Sequence, residues 1–350
     1  MGVAAANGPP TPVPGSLMAA EMAEQPGRLA ALLARRSEIA SGVRSLVPDK
    51  LAGTVLVARG SSDHAATVGR YLLEMATRRP VASASPSIHT LYRADVDFSG
   101  YLVVAVSQSG RTPEIAEVLE RAKATGARTI AVTNDAASPL AQAADLLIAL
   151  DVGEEQSVPA TKTVTAQLVV FSMIAQALGD LGLDHAFETL PDLVADVLAD
   201  AEPPEQLAAW LEDASRFATV ARGLLYGAAA EAALKIEETT SLFASAFSAA
   251  DLRHGPIAVA STGIPILAFA HPGPASKDVL ELVAELDARG ARTRIAGPVA
   301  GSDLPWSDRA PETLAPILAV VRGQQLALRL AIRLGRNPDA PAGLTKVTVT

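Results

Sequence analysis

The chain contains short runs of consecutive apolar residues, rich in Val, Leu and Ile, which are separated by stretches of helical character. Apolar runs without polar alternation are typical of strands in a parallel sheet that helices cover on both faces. The pattern predicts strands at 54–58, 102–106, 129–133, 146–150, 217–221, 264–270 and 293–296. It predicts helices at 17–47 (with a break at Pro26), 65–77, 113–126, 167–178, 228–241, 277–289 and 316–334.

The same series of landmarks occurs twice. Val-Ala-Arg-Gly at 57–60 recurs at 220–223, and Gly-Ala-Arg-Thr at 126–129 recurs at 290–293. The offset of about 163 residues is nearly constant, which indicates a duplicated domain, since a solenoid repeats every 20–50 residues or so. We therefore predict an α/β protein with two tandem domains, each built on a parallel sheet.

The 350 residues are enough for two domains of ordinary size. A start rich in Gly and Pro predicts a disordered tail, and several prolines between the copies predict a linker. The predicted divisions are a tail at 1–16, a first domain at 17–185, a linker at 186–206, a second domain at 207–336 and a C-terminal tail at 337–350.

Composition excludes several classes of function. With no cysteine, the chain has no disulfide, thiolate metal site or cysteine nucleophile, and it fits a reducing cytoplasm. The net charge of −9 argues against a nucleic-acid partner. Neither a signal peptide nor an apolar run of about 18 residues is found, so no membrane span is expected. The histidines show no metal-ligand spacing.

A hydroxyl-rich turn at 107–112 follows the second predicted strand and precedes a helix. Hydroxyls and free N–H groups at a helix N-terminus suit a phosphate, whereas the matching turn at 271–274 has lost the hydroxyls. The turn at 60–62 is also serine-rich and would lie at the same sheet edge. An ordinary capped strand–helix turn is the alternative. The candidate phosphate ligands are Ser61, Ser62, Ser107, Gln108, Ser109 and Thr112.

The helix after this turn carries start signals. Thr112 can cap it with its side chain, Pro113 fits its first turn, and Glu114 lies near the positive end of its dipole.

Candidate acid–base groups occur in the second copy. Glu231, Lys235 and Glu238 share one face of a predicted helix, where a surface salt bridge is the alternative interpretation. His254 follows in a Gly-Pro turn, and histidine titrates near neutrality.

These motifs resemble a known family. The segment 107–112 resembles the phosphosugar signature of the sugar isomerase (SIS) fold. The segments 158–163, 231–238, 252–256 and 337–349 resemble the isomerase half of glutamine–fructose-6-phosphate amidotransferase. The resemblance covers about residues 20–350 in order. It implies two αβα domains, each with a five-stranded parallel sheet, and a homodimer.

The resemblance also implies a role for each candidate. The six serine-turn residues would hold the sugar phosphate, with Val158 near the sugar. Glu238 would move a proton between C1 and C2, and Lys235 would stabilise the charge that develops. His254 would open the sugar ring from the neighbouring subunit, and Lys346 would form an imine with the ketose. The adjacent Glu237 stays an alternative to Glu238, and no metal or redox cofactor is implied.

Two departures from that family affect the expected activity. Ala160 stands where the family has a sugar-contacting serine, and Arg59 replaces a small residue. The chain also has neither a glutaminase segment nor a cysteine to release ammonia from glutamine.

We therefore expect a glucosamine-6-phosphate deaminase that gives fructose 6-phosphate and ammonia, with water or Lys346 displacing the nitrogen. The alternatives are a related phosphosugar isomerase or deaminase, a fructosamine-6-phosphate deglycase, and a non-catalytic sensor of an amino-sugar phosphate.

Overall fold

The structure is a computed structural model that describes residues 13–346, with only the backbone described at residues 261 and 262. Two predictions lie partly outside the described residues: the disordered tail, at 1–12, and the end of the C-terminal tail, at 347–350.

The first half of the chain forms an N-terminal helical layer and the first sheet. The helical layer comprises α1 (Ser16–Ala23), α2 (Gln25–Ala34) and α3 (Arg36–Leu46). The sheet and its helices comprise β1 (Gly53–Val57), α4 (Ser61–Thr77), β2 (Val81–Ser83), α5 (Pro86–Thr90), β3 (Tyr101–Val106), α6 (Pro113–Ala124), β4 (Arg128–Thr133), α7 (Pro139–Ala143), β5 (Leu146–Ala149) and α8 (Lys162–Leu178).

The second half begins with two helices and then forms the second sheet. Its elements are α9 (Asp184–Ala199), α10 (Glu202–Leu211), β6 (Arg216–Ala221), α11 (Tyr226–Thr240), β7 (Phe243–Ser248), α12 (Ala249–Arg253), β8 (Pro265–Phe269), α13 (Ser276–Ala288), β9 (Arg292–Ala296) and α14 (Ala315–Arg333). Short 3₁₀ turns lie at Gly223–Leu225 and Pro256–Thr262.

Both sheets are parallel, and their strand orders match, which confirms the α/β class and the duplication. The first sheet has the order β2-β1-β3-β4-β5, and the second has the order β7-β6-β8-β9. The prediction of a fifth strand in the second sheet is wrong, since the described part of that sheet has four strands. At its position Leu304 makes a single parallel bridge to Ala296, and Pro305 follows, which has no N–H to extend a ladder.

The segment at 186–206, predicted as a linker, is mostly helical. It lies in α9 and α10, and α9 packs on α2 and α14 through buried residues such as Leu190 and Leu193. Pro191 lies inside α9 instead of ending it. This region is therefore part of the core that the two copies share.

Close packing of helices joins the two copies and positions the site. A Cβ atom on Gly69 of α4 would lie 2.4 Å from Phe171 of α8, and one on Gly227 of α11 would lie 2.6 Å from the carbonyl oxygen of His64. Only glycine allows these approaches. The start of α4 therefore lies directly against α11, the helix that carries the candidate acid–base residues.

The helix α14 is long and apolar enough to cross a membrane. In this fold 89% of its apolar window is buried inside the protein, as in the core helix of a globular domain. It packs against α11 and, beside it, against α10 and α9.

Candidate active site

The two serine-rich turns meet at the carboxyl edge of the first sheet. The turn 60–62 follows β1, and the turn 107–112 follows the neighbouring strand β3. From β1 the chain continues to β2 on one side, and it then crosses back to β3 on the other side of β1. The boundary between β1 and β3 is therefore a topological switch point, and ligands of open α/β sheets bind at such points.

The turn 107–112 is held by its own serines. The Ser107 Oγ accepts a hydrogen bond from the Gly110 N–H at 3.1 Å, and the Ser109 Oγ accepts one from the Arg111 N–H at 3.2 Å. Since both hydroxyls act as acceptors inside the turn, their hydrogens are available to an anionic ligand. Gly110 has a φ of +62°, and a Cβ there would lie 2.1 Å from the Ser138 Oγ.

The prediction that the Thr112 side chain caps α6 is wrong. Thr112 occupies the N-cap position and Pro113 begins the helix, as predicted, yet within the described residues the Thr112 hydroxyl makes no capping hydrogen bond. Thr112 lines the cavity described below, and the positive end of the α6 dipole lies at the same turn. Both favour an anion there.

The equivalent turn of the second copy is closed by the protein itself. Glu312 lies against it, since a Cβ on Gly273 would come within 2.3 Å of the Glu312 Oε2. Burial raises the pKa of Glu312. His271 in the same turn is buried and contacts the carbonyl oxygens of Pro272 and Ala310 through its ring nitrogens. Of the two turns, only the first-copy turn is open to an anion.

Two further side chains complete the edge of the first sheet. The buried Gln167 of α8 donates from Nε2 to the Ser62 Oγ at 3.0 Å. Arg59 lies half-exposed and donates from Nη2 to the Glu114 Oε2 at 2.9 Å. The guanidinium therefore brings a positive charge to the mouth of the serine turns.

The helix α11 carries a buried network of charges instead of a surface salt bridge, so the alternative interpretation of this face is wrong. Lys235 and Glu231 are each 1% exposed, with 3.4 Å between Nζ and Oε1. Lys235 also bonds to Glu238, and it donates to the Ser61 Oγ at 3.0 Å. The Glu231 Oε2 lies 2.8 Å from the His64 Nδ1. The Lys235–Ser61 bond joins the second copy directly to the first.

This network sets the protonation of its members. Burial raises the pKa of Glu238, Lys235 opposes that shift, and the charge of Glu231 adds to it, so that the pKa remains above the ordinary range. Burial alone would lower the pKa of Lys235, but Glu231 and Glu238 outweigh it and raise the pKa. Burial disfavours the charge on Glu231, yet Lys235 and His64 keep its pKa below the usual value. Lys235 is therefore a cation next to a carboxylate that accepts a proton readily.

A third part of the site comes from the C-terminal tail. The Lys346 Nζ donates to the Glu155 Oε2 at 2.7 Å, and the Glu155 side chain is fully buried. Burial disfavours ionisation of Glu155, but Lys346 and the Thr161 and Thr163 donors outweigh it and hold its pKa below the ordinary value. Glu155 thereby holds the tail lysine at the site.

These parts surround one cavity of about 390 Å³, within the size range of small-molecule sites. Nine of the eleven predicted site residues line it: Ser61, Ser62, Ser107, Gln108, Ser109, Thr112, Val158, Glu238 and Lys346. Lys235 lies behind the wall, in contact with Ser61 and Glu238. Their roles toward a sugar stay predictions.

His254 is not among the residues that line this cavity. It lies exposed at the end of α12, in the second copy. Its predicted contribution from a neighbouring subunit therefore stays a prediction. The structure does separate Glu237 from Glu238: Glu237 turns away from the cavity and accepts a hydrogen bond from the Ala244 N–H at 3.1 Å.

The sequence reasoning missed Glu155, Gln167 and Thr163. Gln167 and Thr163 line the cavity, and Glu155 binds the lysine that does so. Glu155 and Lys346 are 191 residues apart, and no local spacing signals such a pair. Among residues 13–346 no group of three or more His, Asp or Glu side chains is arranged to hold a metal ion.

Comparison with known proteins identifies a matching family model and several relatives. The model described as "SIS domain" matches residues 54–177 and 210–297, one segment in each copy. Glutamine–fructose-6-phosphate aminotransferase (isomerizing) of Pyrococcus horikoshii is 35% identical over 310 residues, which cover 84% of this chain and 51% of the relative. The chain thus spans about half the length of that curated relative.

Solved structures with the same architecture cover nearly the whole chain. A structure from Silicibacter pomeroyi, provisionally named a phosphosugar isomerase, is 32% identical, with a TM-score of 0.85 over 92% of this chain and 99% of that one. Glucosamine-6-phosphate deaminase of Thermotoga maritima is 22% identical, with a TM-score of 0.78 over 96% of this chain and all of that one. At that identity the second likeness shows the fold alone.

Proposed function

The chain belongs to the SIS domain family, and on that premise we propose that it is a glucosamine-6-phosphate deaminase. The observation that carries the proposal is the shared cavity. A hydroxyl-rich turn from the first copy, a buried carboxylate–lysine pair from the second and the tail lysine line or contact the same space.

The sugar phosphate binds with its phosphate at the start of α6. The hydroxyls of Ser107, Ser109 and Thr112 and the positive end of the α6 dipole receive the phosphate oxygens. The closed turn of the second copy supports this placement, because Glu312 would repel a phosphate there.

Proton transfer takes place at the α11 side of the cavity. In the open-chain amino aldose, Glu238 takes the proton from C2, and the electron pair delocalises over C1, O1 and C2 as an enolamine. The same carboxyl group then delivers that proton to C1, while O1 gains a proton and the nitrogen loses one, to give the 2-imine of the ketose. Lys235 and Lys346 stabilise the negative charge on oxygen that develops between these steps.

Release of the nitrogen completes the reaction. Water adds to the C2 imine and ammonia leaves, so glucosamine 6-phosphate and water give fructose 6-phosphate and ammonia. The ion pair with Glu155 supports water over Lys346 as the attacking group, because the Lys346 Nζ is already engaged with a buried carboxylate. His254 of a second subunit supplies the proton transfers of ring opening, and the working unit is a homodimer in the cytoplasm.

Two residues that line the cavity bear on the identity of the sugar. Ala160 and Arg59 both line the cavity, and both differ from the amidotransferase pattern. Because both residues lie where the sugar would bind, the protein should also be tested with related amino-sugar phosphates.

The test is incubation of the purified protein with glucosamine 6-phosphate, with ammonium and fructose 6-phosphate measured together. Equal release of both is expected, and release should be about 10²–10⁴-fold slower with Glu238→Gln. Galactosamine 6-phosphate and fructosamine 6-phosphate serve as competing substrates, and faster turnover of either would reassign the sugar. Thermal stabilisation by these ligands with no turnover would instead favour a sensor.

A further inference from the structure

On the first-copy side of the site, the acidic residue Glu155 is fully buried and does not line the cavity. Glu155 lies between β5 and α8, with a fully buried side chain. Its carboxylate accepts from the Thr161 N–H at 2.8 Å, the Thr163 hydroxyl at 2.7 Å and the Lys346 Nζ at 2.7 Å. Two of these partners, Thr163 and Lys346, line the cavity.

A buried carboxylate needs a compensating charge, since removal of one partner of a buried ion pair is costly. Lys346 is the residue that ion-pairs with Glu155, and it belongs to the C-terminal tail. The threonine donors are neutral. The position of the tail and the ionisation of Glu155 therefore depend on each other.

The segment that carries Glu155 is fixed by the same tail at a second point. The Val158 N–H donates to the Asp339 carbonyl oxygen at 3.0 Å. The Asp339 side chain in turn accepts from the N–H groups of Leu17 and Met18 at 3.2 and 2.8 Å. Tail, α1 and the Glu155 segment thus form one wall, whose exposed face consists of Val158, Ala160, Leu344, Thr345 and Lys346.

We propose that Glu155 is a positioning residue that docks Lys346 and thereby assembles the tail side of the cavity, without contact with substrate. The inference concerns the site of the proposed function, and its catalytic consequence rests on that function. Its structural consequence does not: loss of the carboxylate releases the tail whether or not a sugar is present.

Hydrogen–deuterium exchange of the full-length, unliganded protein tests that consequence. In Glu155→Gln, exchange in peptides that cover 337–346 should rise about tenfold or more, because the tail loses a hydrogen bond between charged groups. Peptides from the interior of α8 should be unchanged. Glu154→Gln is the matched control, since Glu154 is an exposed neighbour that bonds to Gln156, and it should exchange like the wild type.

Lys346→Met breaks the same ion pair by changing its more exposed member. This variant replaces Glu155→Gln in the experiment if Glu155→Gln does not fold. It should release the tail to a similar extent, and the double variant should show no further increase. Exchange at the wild-type rate in whichever of these variants folds, or additive effects in the double variant, would overturn the proposal.

Kinetics with glucosamine 6-phosphate then test the catalytic consequence. Glu155→Gln should lower kcat/KM about tenfold or more. The fall of kcat/KM at low pH, which Glu238 sets, should move to higher pH, because the released Lys346 no longer lowers the pKa of Glu238. If the wild type turns over no sugar phosphate at all, the proposed function fails, while the exchange experiment still decides the role of Glu155. A released tail with undiminished kcat/KM would contradict the positioning role.

Discussion

Replacement of Glu238 by glutamine removes the one carboxylate of α11 that lines the cavity. Glutamine has nearly the same shape and can still accept a hydrogen bond from Lys235, so the site should stay assembled. General acid–base catalysis typically contributes about 10²–10⁴-fold to a rate, which corresponds to about 2.7–5.4 kcal/mol of barrier. We expect kcat for glucosamine 6-phosphate to fall by about that factor, with KM nearly unchanged.

The pH dependence provides a second readout of the same change. Glu238 must be ionised to take the C2 proton, and burial together with Glu231 raises its pKa. The wild-type kcat/KM should therefore fall as the pH drops through that raised pKa, earlier than an exposed glutamate would cause. In Glu238→Gln the residual activity should lack this acidic limb.

Glu237→Gln is the matched control, one position away on the same helix. The Glu237 Oε1 accepts from the Ala244 N–H, and a glutamine oxygen can do the same. Its kcat should stay within about twofold of the wild type, as for a substitution away from the chemistry. Loss of activity in Glu237→Gln with activity retained in Glu238→Gln would refute the assignment of the base.

Three further substitutions test the hydroxyl-rich turn 107–112, the charge at the cavity mouth and the stability of the fold. Ser109→Ala should raise KM about tenfold and change kcat little, because the hydroxyl binds ground and transition states alike; a fall in kcat alone would contradict this. Arg59→Ala should raise KM and weaken its dependence on ionic strength, since a half-exposed cation at the cavity mouth is lost; an unchanged salt dependence in steady-state kinetics would exclude an electrostatic role. Asp339→Ala removes the acceptor for two N–H groups at the start of α1 and should lower the free energy of unfolding in urea by about 1–2 kcal/mol, whereas no loss would show that the cap is dispensable.

The sequence predicted those elements whose pattern is strong. The unbroken apolar runs of β1, β3 and β4 identified these strands to within a residue or so. The strand β7 has the sequence FASAFS, in which small and polar residues dilute the apolar signal, and it was missed. The strand β2 is three residues long, too short for any period to appear.

The site was predictable where its residues are contiguous in sequence. The turn 107–112 carries its hydroxyls within six positions, and the charges on α11 repeat at helical spacing. These charges are buried because α4 packs closely on α11 at Gly227. The sequence pattern does not indicate this packing, so it did not predict the burial. Glu155 depends on a tail residue far away in the chain, so only the folded structure pairs it with Lys346.

A crystal structure of Glu238→Gln with glucosamine 6-phosphate would show the sugar's position relative to both copies. We expect phosphate oxygens within about 3 Å of the Ser107, Ser109 and Thr112 hydroxyls, and C1 and C2 of the sugar about 3–3.5 Å from the side chain at position 238. A sugar bound in the opposite direction, or a phosphate held at the second-copy turn beside Glu312, would contradict it.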